Sequence, residues 1–384
     1  MAEFRIIQSI HEVSATDWDR LNPSGYPFFQ HAFLAALEDS GCVNEKSGWH
    51  PNYLIHANTN GQLDCAIPTF LKQHSYAEYV FDWSWADAYQ RHGLDYYPKM
   101  LWAAPFTPAT GPRLLKSPDS EISWADAIEL ITQLCEGNQL SGWHLNFLEN
   151  DDVEALRALE GLSIRQACQF HWFNRGYTSF DHYLDHFTSR KRKSVRKERK
   201  KVIESGVTVE RAFGSDISPD LIKSFYHCYQ STYLKRGRSG YLNKALFTHL
   251  LDSMADQMML VTARREDTPI AHALYFFDQH TLYGRYWGCL EEVEHLHFEA
   301  CYYQGIEFCI EQGLKHFDPG TQGEHKISRG FEPTLTYSAH KLMHPSFQQA
   351  VEQFVQEEND YVLRYQEEAA SLLPFKEDAF PPPD

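Results

Sequence analysis

Between Met258 and Trp287 the chain reads as three strand-length stretches, Met258–Arg264, Ile270–Phe277 and Leu282–Trp287, parted by the turn sequences Glu266–Thr268 and Asp278–His280. Strands joined by turns this short fold back on one another, so the run predicts an antiparallel meander. A helical stripe follows over His297–Gln312, with Phe298, Tyr302, Ile306 and Cys309 on one side. Then come a short strand at His316–Phe317, a glycine-rich loop, an alternating strand near Leu335–Leu342 and a helix over Phe347–Leu373. The last leads into a tail, PFKEDAFPPPD, expected to be disordered. A strand at Val207–Ala212 and helices at Pro219–Leu234 and Lys244–Ala255 precede the meander.

The same order occurs earlier in the chain. Asn52–Ala57 and Gln62–Lys72 read as strands around the turn Asn58–Gly61, followed by an aromatic-rich loop and Lys99–Ala104. Glu121–Gln139 is spaced as a helix, Trp143–Leu148 alternates as a strand, and a short helix and a strand around Phe170–Asn174 close the half. The pattern predicts an α/β (α+β) chain holding two copies of one unit. A length of 384 residues agrees with two domains. The run Arg190–Lys201 (RKRKSVRKERKK), nine basic residues and one acid in twelve positions, marks the boundary. Domains are therefore expected at 1–178 and 179–345, the second starting with a basic helix, with a C-terminal helix and tail over 346–384.

The net charge of −17 argues against general attraction to nucleic acid or anionic membrane. No apolar run approaches the roughly 18 residues of a spanning helix. The first residues carry Glu3, Arg5 and Glu12 where a signal peptide needs an apolar block, so a cytoplasmic protein is expected. The eight cysteines include no C-x-x-C pair and read as small buried hydrophobes. His295, His297 and Glu299 lack the spacing of a metal-binding helix, and no metal is expected.

Four segments carry residues suited to chemistry. Arg285-Tyr-Trp-Gly288 ends a strand ahead of a helix, where backbone N–H groups can face an anion; an ordinary strand exit has the same appearance. In Asp318-Pro-Gly320-Thr-Gln-Gly323-Glu324-His325-Lys326 the glycines allow tight turns, and Glu324 or His325 could act as a general base toward an amine. Lys326 and Arg329 could hold a carboxylate or phosphate, although a solvated polar loop would look alike. The aromatic loop from Tyr76 to Tyr89, with Tyr96-Tyr97-Pro98-Lys99 after it, resembles the lining of a ligand cleft, and Asp82 and Asp87 suit an amine-bearing molecule. The alternative is a packed lid whose acids cap helices. Finally, the basic run fits either a solvated helix face or the docking of a polyanion such as transfer RNA.

With these segments laid out, the chain resembles the GNAT superfamily in its tandem, Fem-like form, and more closely the bacterial peptidoglycan biosynthesis/recognition (predicted N-acyltransferase) proteins. The resemblance spans about residues 10–345. It rests on EYVFDWSWADAY (Glu78–Tyr89), YYPK (Tyr96–Lys99), PFTPATGPRLL (Pro105–Leu115), KRKSVRKER (Lys191–Arg199), LYGRYWGC (Leu282–Cys289), LHFEACYYQGIEFCI (Leu296–Ile310) and GTQGEHKISRGF (Gly320–Phe331). It implies two tandem GNAT-like folds with mixed, mainly antiparallel sheets, and transfer of an acyl or aminoacyl group to an amine, with a cell-wall precursor as a candidate acceptor. No bound cofactor is implied; the donor substrate would be acyl-CoA or aminoacyl-tRNA. Leu290 stands where the acyl-CoA loop of GNAT enzymes has Gly or Ala, and the run Arg190–Lys201 would suit transfer RNA.

Under this resemblance Glu324 or His325 is the base and Tyr286 protonates the leaving group. Arg285, Gly288, Gly320, Gly323, Lys326 and Arg329 would bind the donor. Asp82, Trp83, Trp85, Asp87, Tyr97 and Lys99 would bind the acceptor. The competing expectation is a noncatalytic protein that binds a peptidoglycan precursor or a peptide through the aromatic segment.

Overall fold

The computed structural model describes residues 4–377 other than 236, 238 and 322, together with residue 379. In chain order the first strands are β1 (Phe4–Ile7), β2 (Trp49–Pro51), β3 (Tyr53–Ala57), β4 (Leu63–Ile67), β5 (Thr69–Lys72), β6 (Lys99–Trp102), β7 (Leu115–Lys116) and β8 (Gly142–Leu148). They continue as β9 (Ser163–Phe173), β10 (Val207–Phe213), β11 (Met258–Arg265), β12 (Thr268–Phe277), β13 (Thr281–Cys289), β14 (His316–Asp318) and β15 (Glu332–Leu342). The helices begin α1 (Ala15–Asp19), α2 (His31–Asp39), α3 (Trp83–Arg91), α4 (Trp124–Gly137), α5 (Asn150–Arg157) and α6 (Phe180–Asp185). They end α7 (Ser189–Glu204), α8 (Pro219–Leu234), α9 (Lys244–Met254), α10 (Leu296–Phe298), α11 (Gln304–Gln312) and α12 (Pro345–Ala370).

The chain divides into two compact units. Unit 1 holds Met1–Cys168 and Leu335–Arg364, and unit 2 holds Gln169–Thr334 and Tyr365–Asp384. The sequence reading drew its lines after residues 178 and 345; the chain instead changes unit inside β9, inside β15 and inside α12. A strand belongs with the sheet that pairs it, and local sequence does not name that partner.

In unit 1, β1, β3, β4 and β7 form an antiparallel sheet. A second sheet runs β2–β5–β6–β8–β15, antiparallel except where β6 and β8 pair parallel. In unit 2 the expected meander is present as β11–β12–β13, with β10 antiparallel to β11, β14 parallel to β13 and β9 antiparallel to β14. The quartets β5–β6–β8–β15 and β12–β13–β14–β9 thus repeat one order, antiparallel, parallel, antiparallel. Each also carries a histidine pair on its last two strands. Nδ1 of His144 lies 2.8 Å from Nδ1 of His340 in unit 1, and Nε2 of His316 lies 3.0 Å from Nδ1 of His171 in unit 2. Burial holds all four imidazoles far below their ordinary pKa, so they stay neutral.

Each unit has its own core. In unit 1, Leu54, Ile67 and Trp102 pack with Ile128 and Ile131 of α4; in unit 2, Tyr275, Leu282 and Phe317 pack with Tyr302, Ile306 and Phe331.

Three expectations need correction. The stretch Gln62–Lys72 is two strands, because Pro68 has no N–H to continue the ladder, and β4 and β5 go to different sheets. The aromatic loop contains α3, with Trp85 and Tyr89 buried at i, i+4 spacing. The helix expected over His297–Gln312 is interrupted by a wide π turn at Glu299–Tyr303. In the tail, Phe375 bridges to Phe187, while 378 and 380–384 lie outside the described residues. Among the described residues no helix is long and apolar enough to cross a membrane.

Candidate active site

In unit 2 the ladder between β13 and β14 covers only Thr281–Tyr283 against His316–Asp318, while β13 continues beside β12 as far as Cys289. Just past the last parallel pair β13 bulges. Leu274 faces Tyr286 and Tyr275 faces Gly284, which leaves Arg285 as the inserted residue. The two backbones part from close approach: a Cβ on Gly284 would lie 3.2 Å from the Pro319 Cα, and one on Gly320 3.3 Å from the Gly284 carbonyl oxygen. Gly288 lies beneath α8, where a Cβ would fall 2.1 Å from the Cys228 carbonyl oxygen.

After β14 the chain turns through Gly320 and Gly323 into a 3-10 turn at Glu324–Arg329. Asp318 is buried and accepts a hydrogen bond from the Gly320 N–H at 2.8 Å; burial raises its pKa. Lys326 is also buried and donates to the Gly320 carbonyl, so one glycine is held from both sides. Burial lowers the Lys326 ammonium to about 8.

His325 lies on the outer side of this turn, with Nε2 2.7 Å from the Tyr302 hydroxyl oxygen. Partial burial lowers the His325 pKa, and the charges of Lys326 and Arg329 lower it further. Burial pushes the Tyr302 phenol up, so Tyr302 keeps its proton at hydrogen-bond distance from the imidazole. Gly323 sits at φ +92°, and a Cβ there would meet the His325 ring at 2.3 Å. Only glycine lets the imidazole lie where it does.

Arg329 stacks on Phe298 at 3.4 Å and forms an ion pair with Glu198 at 2.9 Å. His297 lies 6.0 Å from His325 and 5.4 Å from Trp287, ring to ring.

Of the expected residues, His325, Lys326, Arg329, Gly320 and Gly323 therefore come together at the parting strands, with Arg285 on the bulge. Three do not join them, the first being Gly288, packed beneath α8. Glu324 is exposed and accepts from the Tyr365 hydroxyl at 2.9 Å. Tyr286 packs against Tyr229 and Phe247, the rings of α8 and α9. Tyr302 was missed, since it falls in the apolar stripe of the helix; a hydroxyl-bearing ring in that stripe is the one signal that could have found it.

In unit 1 the expected acceptor residues separate into a buried set and an exposed set. The Lys99 ammonium donates to Ser75 at 2.8 Å, to Glu78 at 2.7 Å and to Asp82. Tyr96 donates to Asp82 at 2.6 Å, and the Tyr97 and Ser75 hydroxyls lie 2.8 Å apart. Burial alone would raise the Asp82 carboxyl, but Lys99 outweighs it and holds Asp82 well below the carboxylate range. Burial likewise opposes the Lys99 charge, and Glu78 and Asp82 overcome it. Lys72, 3.8 Å from Glu78, is lowered by burial to about 7. Trp85 is buried against His144 and His340, whereas Trp83 and Asp87 lie exposed on the outer face of α3.

The basic run forms α7. Arg192, Arg196, Arg199, Lys200 and Lys201 are engaged by acids, whereas Arg190, Lys191, Lys193 and Lys197 make no ion pair among the described residues.

Residues 9–377 match the model of the FemAB-like family, described as peptidoglycan biosynthesis/recognition. No curated protein matches the chain. Among solved structures, FemX superposes with a TM-score of 0.54 at 12% identity, over 88% of this chain and 98% of its own. The C-terminal (DUF2156) domain of a provisionally named lysylphosphatidylglycerol synthetase from Agrobacterium fabrum gives 0.53 at 10%, over 91% and 97%. A conserved protein of unknown function from Bacteroides thetaiotaomicron gives 0.53 at 9%, over 89% and 100%. At these identities the likeness concerns the fold: two GNAT-like folds in tandem, with mixed, mainly antiparallel sheets.

Proposed function

Since the chain belongs to the FemAB-like family of peptidoglycan biosynthesis/recognition proteins, we propose that it is an N-acyltransferase, moving an acyl or aminoacyl group to an amine of a cell-wall precursor. The observation that carries this reading is the Tyr302–His325 pair beside the strand edge that β14 leaves at Tyr283. A donor carbonyl set against β13 beyond that point would have its developing oxyanion facing backbone dipoles.

The relay uses the His325 tautomer with Nε2 unprotonated, to which the Tyr302 hydroxyl can donate. Tyr302 gives its proton to Nε2 of His325 as the phenol oxygen takes one from the attacking amine. The C–N bond forms as the donor's C–S or C–O bond breaks, and the proton returns through Tyr302 to the leaving thiolate or alkoxide. Tyr302 thus takes the part expected of Tyr286, and His325 the part shared in expectation with Glu324. Lys326 and Asp318 hold the Gly320 turn in place. The donor is acyl-CoA or aminoacyl-tRNA; for the latter, Arg190, Lys193 and Lys197 project at helical spacing and could meet phosphates.

Turnover with acetyl-CoA, longer acyl-CoAs and charged transfer RNA tests the reading. His325→Ala and Tyr302→Phe are each expected to cut it by about 10²-fold or more, and Glu324→Gln to leave it within about twofold. Turnover unchanged in both of the first two variants would remove the proton relay.

A further inference from the structure

The segment ahead of α3 and the first residue of that helix show three large aromatic side chains to solvent, Tyr76 at 52%, Phe81 at 63% and Trp83 at 41% exposure. The Tyr76 and Trp83 rings meet at 5.0 Å with planes 61° apart, forming a corner. The backbone between them is held in costly conformations. Ala77 and Tyr79, neither a glycine, both sit at φ +63° in the left-handed region.

The residues that alternate with the exposed rings are tied down. Glu78 and Asp82 are bound by the buried Lys99, and the Phe81 carbonyl accepts from Arg165 at 2.7 Å. Arg165 is itself clamped by both oxygens of Glu358. Backbone strain and buried charges are thus spent on fixing rings that point into water, which is the mark of a preorganised binding surface.

The outer face of α3 continues the corner. Trp83, Asp87 and Arg91 follow at i, i+4 and i+8, and Asp87 and Arg91 form an exposed ion pair at 2.9 Å. An indole flanked by a carboxylate and a guanidinium offers a flat apolar surface with hydrogen-bonding groups at its rim. A phosphate chain would meet Asp87, and a hydrocarbon surface would strand both charges. A sugar ring suits all of it: its C–H face covers the indole while its hydroxyls reach Asp87, Arg91 and the Tyr76 phenol.

We infer that Tyr76, Trp83, Asp87 and Arg91 form a saccharide-binding platform on unit 1, which takes the neutral glycan portion of a ligand. The inference deepens the acceptor reading above and rests on it for the source of the sugar. Binding is measured without any donor, so failure of the transfer assay and failure of sugar binding are separate results.

The probe is a β-1,4-linked N-acetylglucosamine tetramer, titrated by calorimetry into the full chain. Trp83→Ala is expected to weaken binding by about tenfold, and Asp87→Asn with Arg91→Gln by several-fold. Leu290→Ala, an exposed apolar residue of unit 2, is expected to leave it unchanged. Trp83→Gln serves if Trp83→Ala lowers the thermal midpoint. Absence of binding to the native protein at millimolar tetramer overturns the platform, as does equal affinity in the Trp83 variants. So does uptake of neutral phosphatidylcholine vesicles through Trp83 in place of the sugar.

Discussion

Lys99 shows how much a single side chain can commit a structure. Its ammonium is fully buried and satisfied by Ser75, Glu78 and Asp82, so the three acceptors depend on it as much as it does on them. Lys99→Met would leave two buried carboxylates with Lys72 as the nearest cation, and a loss of about 3–5 kcal/mol of stability is expected. Adding Glu78→Gln and Asp82→Asn should recover most of it. Urea midpoints for the single and triple variants measure both, and an unchanged midpoint in Lys99→Met would show that the cluster is not compensated as described. The sequence marked Lys99 and Asp82 as residues with a purpose but not as partners, because the sixteen positions of chain between them carry no register. His325 and Lys326 were legible as chemistry. Tyr302 was not, since a tyrosine in an apolar stripe looks like core until its hydroxyl finds a partner.

At the level of elements, α7 has two faces that composition alone merges. Its inner face carries Arg199, which binds Glu299 at 2.8 and 2.9 Å and Glu307 at 2.6 Å, while Glu198 binds Arg329. Arg199→Ala is expected to cost about 3 kcal/mol, because buried Glu299 loses its guanidinium. Lys193→Ala and Lys197→Ala should be neutral within about 0.5 kcal/mol. Thermal unfolding of the three variants checks this; equal effects would mean that the run is one solvated face. Strongly periodic elements such as α4, α8 and the meander were readable because burial imposes the period. The elements that escaped did so for local reasons. In α3 the density of Trp, Tyr and Asp reads as loop, although Trp85 and Tyr89 already stood at helical spacing. In the run after His295, the π turn changes the hydrogen-bond spacing without changing the apolar pattern.

Across the whole molecule, the repeat of one α/β unit was visible in the sequence, but the sheet order and the return of β15 to unit 1 were not, since nothing in an alternating strand names the sheet it will join. Six residues of β15, Tyr337–Leu342, pair with β8, and His340 of that strand buries against His144. A fragment of residues 1–178 is therefore expected to lack a cooperative thermal transition, whereas the full chain has one. Circular dichroism melting decides this, and a sharp transition in the fragment would show that unit 1 is complete without β15.

The same crossing sets a timetable for the newborn chain. β8 leaves the ribosome about 180 residues ahead of β15, a wait of roughly 10–40 s at ordinary elongation rates. Through that interval β8 has β6 on one edge and nothing from β15 on the other, and His144 lacks His340. The half of the protein begun first is thus incomplete until Arg364 has been made, and its protection until then falls to whatever meets the chain at the exit tunnel.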